Sequence, residues 1–294
     1  MVWNDFSVII VTKNRYSQLL QSITSISNNS LKPTIIIVID GSDKIDKNLI
    51  TLIKTTCNKA RVEILYIHHN ANIAQNRNIG ISKVKTKYFG FIDDDQYVPR
   101  NWILNVKNIF SSNQKIDVLT GPLLSKYPKN YWNMIWLDIN KQLLKTEGRV
   151  DFVSGANTNY KTGFIRKNDI CFDTRFTCAA EDWGISYKLQ EKHAYIYQTP
   201  RLTVLHDFRT TIFSFIEQWY RYGIGIYEYH HFYLMTKSDS LLNKLFTAIR
   251  LLFSRYPIRR NRKSIYLIPG YIVLNISFFI GYLHSFLQQK RLVD

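Results

Sequence analysis

Five apolar runs, separated by helical stretches, constrain the fold of this chain more than any other feature. They are FSVIIVT (6–12), TIIIVID (34–40), VEILYIH (62–68), YFGFID (88–93) and IDVLTG (116–121). Each run is continuously apolar rather than alternating, which indicates strands that are covered on both faces. Strands that are separated by helices predict an α/β fold with a mainly parallel, helix-covered sheet.

The pattern loosens after residue 121. The segment 151–168 predicts a strand, a turn and a short helix, and 181–192 predicts a helix. A further strand is expected near YIY or LTVLH. A long aromatic-rich helix is predicted from Thr211 to about Leu234, followed by an amphipathic helix over 241–253. We therefore expect a second, helical part of the chain after the α/β part.

The charge balance points to anionic partners. The 294 residues carry a net charge of +17, which is typical of proteins that meet nucleic acid, phosphorylated substrates or an acidic membrane. The Lys and Arg residues are spread widely and concentrate only in RYPIRRNRK (255–263), without a nucleic-acid reader motif, so we expect no nucleic acid. The three cysteines form no metal-binding pattern, which favours a reducing compartment.

The two ends of the chain differ in what they predict about membranes. The first fifteen residues show no signal peptide. The segment 264–287 contains no Asp, Glu, Lys or Arg and is long enough to cross a bilayer, which takes about 20 residues. The basic stretch 255–263 before it would lie on the cytoplasmic side. A buried helix that docks on the main domain is the alternative.

Polar residues follow several of the predicted strands. Thr12, Asp40 and Asp93 each stand at the end of an apolar run. Ligands of open parallel sheets bind at the carboxyl ends of the strands, which share one edge. The sequence therefore predicts a binding site to which VTKNR, IDGSD and IDDDQ contribute.

Three consecutive carboxylates, Asp93, Asp94 and Asp95, repel one another in this predicted site. A divalent cation would offset that repulsion, and oxygen ligands suit Mg²⁺ or Mn²⁺, which often complete their shell with substrate phosphates. The alternative is a solvated acidic turn. The residues match neither an EF-hand nor a P-loop.

Several motifs together resemble those of the family 2 glycosyltransferases, which are inverting, nucleotide-sugar-dependent enzymes. The resemblance covers about residues 5 to 235 and rests on FSVIIVTKNR, IIIVIDGSD, ANIAQNRNIGI, YFGFIDDDQYVPRNWI and FTCAAEDWGISYKL. It implies the GT-A fold, an α/β/α sandwich with a mainly parallel central sheet, here with a C-terminal helical extension. The change of pattern along the chain predicts a catalytic domain over 1–208 and an aromatic, basic, membrane-associated helical region over 209–294.

The resemblance implies roles for residues of the predicted sheet edge. Contact with the nucleotide is implied for Thr12, Arg15, Asp40, Arg77, Asp93 and Asp94. Asp93 and Asp95 frame the family's DxD signature and, with His206, would hold the Mn²⁺ or Mg²⁺ ion. Because the middle position is also an aspartate, the sequence leaves open which carboxylate contacts the metal.

The resemblance also implies residues for the acceptor side. Asp182 matches the catalytic base, which takes the proton of the attacking hydroxyl. Trp183 and Glu181 flank it, and Gly155 and Asn157 lie in GANTNY, where the family places acceptor-facing residues. A carboxylate that interacts with a helix dipole is the structural alternative for Asp182 or Glu181.

The expected function is the transfer of a sugar from a UDP-, GDP- or dTDP-sugar to a glycan or lipid-linked glycan at the cytoplasmic face of the cell membrane. Two alternatives stay open at this point. QWYRYG (218–223) resembles the QxxRW motif of processive membrane synthases, with Tyr222 where Trp is usual. A catalytically inactive glycan-binding or scaffold protein at the membrane is the alternative from another class.

Overall fold

The computed structural model describes residues 1–235 and 266–293, with side chains for 1–235 and 266–288. The amphipathic helix predicted over 241–253 and the basic stretch 255–263 lie outside the described residues. The strands are β1 Val2–Thr12, β2 Lys32–Asp40, β3 Glu63–His68, β4 Tyr88–Phe91, β5 Gln96–Tyr97, β6 Val118–Thr120, β7 Leu123–Ser125, β8 Gly148–Arg149, β9 Thr158–Lys161, β10 Ile196–Gln198 and β11 Val204–His206. The helices are α1 Tyr16–Ser27, α2 Lys47–Ala60, α3 Ile73–Lys83, α4 Trp102–Ser112, α5 Tyr131–Asn140, α6 Thr162–Lys167, α7 Glu181–Glu191, α8 Ile212–Tyr229 and α9 Ile268–Val293.

An eight-stranded sheet dominates the fold, with the strand order β3-β2-β1-β4-β9-β6-β10-β8. The pairs β3-β2, β2-β1, β1-β4 and β6-β10 are parallel, while β9 runs antiparallel to both of its neighbours and β8 runs antiparallel to β10. The mainly parallel α/β architecture that the sequence predicts is therefore confirmed.

Both faces of this sheet are buried, as the continuous apolar runs predict. Along β1, Val8 and Ile10 belong to one hydrophobic cluster, while Ile9 between them belongs to another. Side chains that alternate along a strand point to opposite faces. The two clusters are thus the two cores of the sheet, one on each face.

A second sheet of three strands, in the order β5-β11-β7, was not predicted. Its strands are two or three residues long, which is too short for a periodic pattern. Pairing of β11 with β5 places His206 opposite Gln96. This small sheet therefore brings His206 next to the aspartate triplet.

The chain divides into two compact units. Unit 1 comprises residues 1–126, 142–174 and 185–207, and unit 2 comprises 127–141, 175–184 and 208–294. Unit 1 contains both sheets. The division of the chain at residue 208, which rests on the sequence pattern, stays a prediction.

Unit 2 has its own core, which is built from α5, α8 and α9. Phe215 and Trp219 of α8 are buried in one cluster with Leu274 and Phe278 of α9. The helices meet closely at Gly281, where a Cβ would lie 1.9 Å from the Tyr220 carbonyl oxygen. Helix α9 is consequently an integral part of this unit, and its residues 268–288 are also long and apolar enough to cross a membrane.

Candidate active site

Three parallel strands of unit 1 end side by side. The register pairs Thr12 with Asp40, and Asp40 with His68, at the last residue of β1, β2 and β3. The aspartate triplet follows β4, which pairs with β1 on its other side. The structure thus brings the predicted strand-end residues to one sheet edge.

Asp94, the middle carboxylate, points into the protein. It is 4% exposed and accepts a hydrogen bond of 2.7 Å from Thr12 Oγ1. Arg15 Nη1 lies 3.3 Å from its Oδ1 atom. Burial, with the neighbouring charge of Asp95, raises the pKa of Asp94 to about 7. Thr12 and Arg15 therefore hold Asp94 in place, and its contact with the nucleotide stays a prediction.

The outer two carboxylates share a small space with His206. Ligand atoms of Asp93, Asp95 and His206 all lie within 4.8 Å of one another. His206 Nε2 is 3.2 Å from Asp95 Oδ1. Asp93 and Asp95 belong to this group and Asp94 does not. Contact of the outer two carboxylates with a metal stays a prediction.

The donor atoms of this group fit a divalent cation. Carboxylate oxygens suit Mg²⁺ and Mn²⁺, and an imidazole nitrogen is a common ligand of transition metals. Two like charges held this close are costly without a positive partner. The structure supplies part of that charge, since Arg15 Nη1 lies 2.8 Å from Asp95 Oδ2 and Arg77 Nη2 lies 3.4 Å from Asp93 Oδ1.

Arg77 is a buried cation of this site. Its side chain is 3% exposed, and its guanidinium lies over the rings of Phe91 and Phe172, with its Cζ 5.7 and 5.2 Å from their centroids. A Cβ added at Gly155 would lie 2.3 Å from Arg77 Nη1. The sequence predicts an acceptor contact for Gly155. In the structure, the absence of a side chain at this position leaves room for Arg77.

Gly155→Ala is therefore expected to move Arg77 away from Asp93. Overpacking of this kind costs about 1–3 kcal/mol of stability, and we expect at least tenfold weaker nucleotide binding. Gly163→Ala is the matched control, because nothing lies within 4 Å of its added Cβ. Calorimetric titration with a nucleotide and Mn²⁺ measures the difference. Equal affinities in the two variants would contradict this role of Gly155.

The raised pKa of Asp94 predicts a pH dependence of stability. Because the folded state holds this proton more tightly than the unfolded chain, its stabilising effect is complete below about pH 4 and is lost as the pH rises to about 7. Asp94→Asn should therefore stabilise the chelator-treated protein at pH 8, by on the order of 3 kcal/mol, and leave it nearly unchanged at pH 4. Urea denaturation at both pH values tests this. Parallel pH profiles of wild type and variant would contradict it.

Asp40 and Asn157, for which ligand contacts are predicted, form buried hydrogen bonds within the protein. Asp40 is fully buried and accepts hydrogen bonds from Ser42 N, at 2.8 Å, and from the Tyr66 hydroxyl. Asn157, also fully buried, accepts from Trp102 Nε1 at 2.9 Å and donates to the Leu202 carbonyl at 2.7 Å. The acceptor contact expected of Asn157 has no support in this arrangement. Full burial leaves Asp40 no exposed surface for direct contact with a ligand in this conformation.

The predicted base and its neighbours lie in unit 2, at the first turn of α7. The Trp183 amide donates to Asp182 Oδ1 at 3.0 Å, Glu181 is buried, and Trp183 is 36% exposed with its ring against Tyr229. Tyr222 of α8 is half-buried near this turn, and its pKa is raised by burial and by the negative charge of Asp182. The structure therefore places the charge of Asp182 near an aromatic side chain of the same unit.

A buried hydrogen-bonded pair holds the loop before Asp182. Glu228 of α8 is 4% exposed and accepts from Thr177 N at 3.1 Å and from Thr177 Oγ1 at 2.6 Å. The loop then reaches Ala180, which adopts a left-handed conformation with φ of 65°. Sequence reasoning missed Glu228, Gln96 and Tyr66, because only a three-dimensional contact distinguishes them from other helix or strand residues.

The comparison with protein families decides the classification of the chain. The sequence model of glycosyl transferase family 2 matches residues 7–189, more than half of the chain. The chain belongs to this family. It is a glycosyltransferase, as the five sequence motifs implied. A search of curated protein sequences returns no significant match.

Solved structures of glycosyltransferases share the fold. A mannosyltransferase from Pyrobaculum calidifontis, solved with GDP-Man and Mn²⁺, is 10% identical with a TM-score of 0.65, over 97% of this chain and 88% of that one. TarS 1-349 from S. aureus is 14% identical with a TM-score of 0.55, over 98% of this chain and 91% of that one. The same fragment has been solved with UDP-GlcNAc. These similarities establish the GT-A fold.

Proposed function

We propose that this glycosyltransferase moves a sugar from a nucleotide-sugar to a hydroxyl group of a glycan or a lipid-linked glycan, with inversion at the anomeric carbon. One observation carries the proposal most directly. Asp93, Asp95 and His206 present their ligand atoms within 4.8 Å of one another at the edge where three parallel strands end. A diphosphate and a divalent cation suit this place, which is where open parallel sheets bind nucleotides.

The donor is expected to be a UDP-, GDP- or dTDP-sugar. Structural relatives of the chain have been solved with GDP-Man or with UDP-GlcNAc, which supports a donor of this class. Asp93, Asp95 and His206 would hold the metal, and the imidazole favours Mn²⁺ over Mg²⁺ because nitrogen is the softer ligand. When bound, the ion would stabilise the negative charge of the departing diphosphate.

Other residues of the chain would bind the donor, position the carboxylates and accept the proton. Arg77, which is buried and rigidly packed, would hold a phosphate or the ribose side of the donor, and Arg15 would keep Asp94 and Asp95 in position. Asp182 would accept the proton of the acceptor hydroxyl. The acceptor oxygen forms the new bond to the anomeric carbon, and the electron pair of the old bond leaves with the nucleoside diphosphate. A single displacement of this kind inverts the anomeric centre.

The cellular location belongs to the same proposal. A lipid-linked acceptor lies in a membrane, whereas nucleotide-sugars are supplied by the cytosol. Helix α9 is long and apolar enough to serve as an anchor over residues 268–288. We infer that the enzyme works at the cytoplasmic face of the cell membrane.

Release of nucleoside diphosphate tests the proposal. The purified chain is incubated with UDP-, GDP- and dTDP-sugars and a glycolipid extract, once with Mn²⁺ and once with a chelator. We expect release from one nucleotide class that requires the metal, and an inverted anomeric proton in the product by NMR. Folded protein that releases nucleotide from none of these donors would contradict the proposal.

A further inference from the structure

Helix α9 exposes a row of apolar side chains in addition to the apolar side chains that it buries in the core of unit 2. Ile272, Ile276 and Ile280 are 53%, 54% and 53% exposed, and they repeat at intervals of four residues along one side. We call these three side chains the isoleucine stripe. The buried side of the same helix holds Leu274, Phe278 and Tyr282, so α9 is apolar on both sides. A helix that faces water on one side normally carries polar residues there, and an exposed apolar surface of this kind marks an interaction site.

We propose that the isoleucine stripe inserts into the surface of an anionic membrane, with α9 lying in the plane of that surface rather than crossing the bilayer. The proposal deepens the membrane part of the proposed function, because it names the surface that binds lipid and its orientation. It does not depend on the transfer reaction.

The packing of α9 inside unit 2 opposes a crossing orientation. At Gly281 the backbones of α9 and α8 are in close contact, and Tyr227 of α8 packs on Tyr282 and Phe286. Helix α8 would therefore enter the hydrocarbon together with a crossing α9. Helix α8 exposes two charged side chains near the contact residue Tyr220. Glu217 lies one turn before Tyr220, and Arg221 follows Tyr220 directly in the sequence. Charged side chains are costly in the bilayer core, whereas an in-plane helix keeps them on the wet side.

The charge of the C-terminal sequence is complementary to anionic lipid. Residues 236–294 contain ten Lys and Arg against two Asp and no Glu, which is a large share of the net charge of +17. These cations include a group before α9, in 255–263, and a pair in its last turn, at 290–291. An in-plane helix lets both groups meet the same lipid surface, whereas a crossing helix would separate them. An apolar face with flanking cations is the pattern of an interfacial helix.

Vesicle binding by the full chain tests the stripe. Wild-type protein is mixed with vesicles of phosphatidylcholine, with or without 30% phosphatidylglycerol, and the bound fraction is measured by flotation. We expect binding to the anionic vesicles and at least tenfold weaker binding to the neutral ones. The triple variant I272S/I276S/I280S should bind the anionic vesicles about tenfold more weakly than wild type.

A matched control keeps the result specific. The variant V2S/L52S/L104S removes three exposed aliphatic side chains of unit 1 and should bind like wild type. Circular dichroism must show that both triple variants are folded. Equal binding by the stripe variant and wild type would overturn the proposal. So would a dimer in lipid-free solution that the stripe variant abolishes, since the stripe would then face a second copy of the chain.

Labelling in cells tests the orientation. The chain is expressed with its three native cysteines replaced by alanine and with Gln288→Cys. A membrane-impermeant maleimide added to intact cells should leave this cysteine unlabelled until the cells are lysed. Labelling in intact cells would show that α9 crosses and would overturn the in-plane orientation. Nucleotide release measured on the same variants separates this outcome from a failure of the transferase proposal.

Discussion

Asp182→Asn is expected to lower kcat by about a thousandfold while the affinity for the donor stays within a factor of two or three. The asparagine has nearly the same shape, and its amide oxygen can still accept the bond from the Trp183 amide. It cannot take the proton of the attacking hydroxyl, so the loss falls on the chemical step. Steady-state transfer assays with calorimetric titration of the donor separate the two quantities.

A purely structural role for Asp182 makes a different prediction. A carboxylate in the first turn of a helix contributes about 0.3–1 kcal/mol through the helix dipole, so its loss would lower stability slightly and leave kcat almost unchanged. Glu191→Gln changes an exposed carboxylate at the other end of α7 and is the matched control. A kcat for Asp182→Asn within threefold of the control would contradict the assignment of the base.

Asp95→Asn is expected to weaken Mn²⁺ binding at least a hundredfold and to lower the rate of nucleotide release by about a thousandfold. The change removes one of the two carboxylates in the group of Asp93, Asp95 and His206, which is also one of the two ion-pair partners of Arg15. Loss of a single well-placed group that stabilises transition-state charge commonly costs 10²–10³ in kcat, about 3–4 kcal/mol. Paramagnetic resonance of free Mn²⁺ measures the binding, and the release assay measures the rate.

The control for this variant is Asp151→Asn, which removes an exposed carboxylate of unit 1 that lies outside the metal group. It should bind Mn²⁺ and release nucleotide like wild type. Unchanged Mn²⁺ affinity in Asp95→Asn would show that the metal, if bound, sits elsewhere. That result would also contradict the metal contacts predicted for Asp93 and His206.

The long strands could be predicted because their burial leaves a continuous apolar pattern. Strand β2 is fully buried from Ile36 to Asp40, and its run of isoleucine and valine indicates a buried strand in the sequence. The strand expected near YIY or LTVLH is present at both places, as β10 and β11. The strands β5 and β7 and the helix α5 were missed. These two strands have only two or three residues each, and α5 mixes aromatic and polar residues without a clear periodicity. Their positions depend on contacts distant in sequence.

The candidate site also has features that the sequence predicts and features that it does not. The ends of β1, β2 and β4 follow from strand ends alone, because parallel strands deliver them to one edge. The residues that contact the charged side chains of the site could not be predicted from the sequence. Arg15, which the resemblance brings near the nucleotide base, forms ion pairs with Asp94 and Asp95, and Gly155 makes space for Arg77. Such pairings depend on side-chain packing between segments 78 to 80 residues apart, which no local pattern encodes.

Thermal melting with nucleotides tests the central claim most directly. Purified wild-type protein and Asp95→Asn are heated with UDP, GDP or dTDP, each with Mn²⁺ or with a chelator. A ligand present at 100 times its Kd stabilises the native state by about 2.7 kcal/mol. We predict that one nucleotide raises the Tm of the wild type only when Mn²⁺ is present, and that Asp95→Asn shows no such rise. A nucleotide shift that is the same with chelator, or that persists in Asp95→Asn, would contradict a metal-bound diphosphate at Asp93, Asp95 and His206.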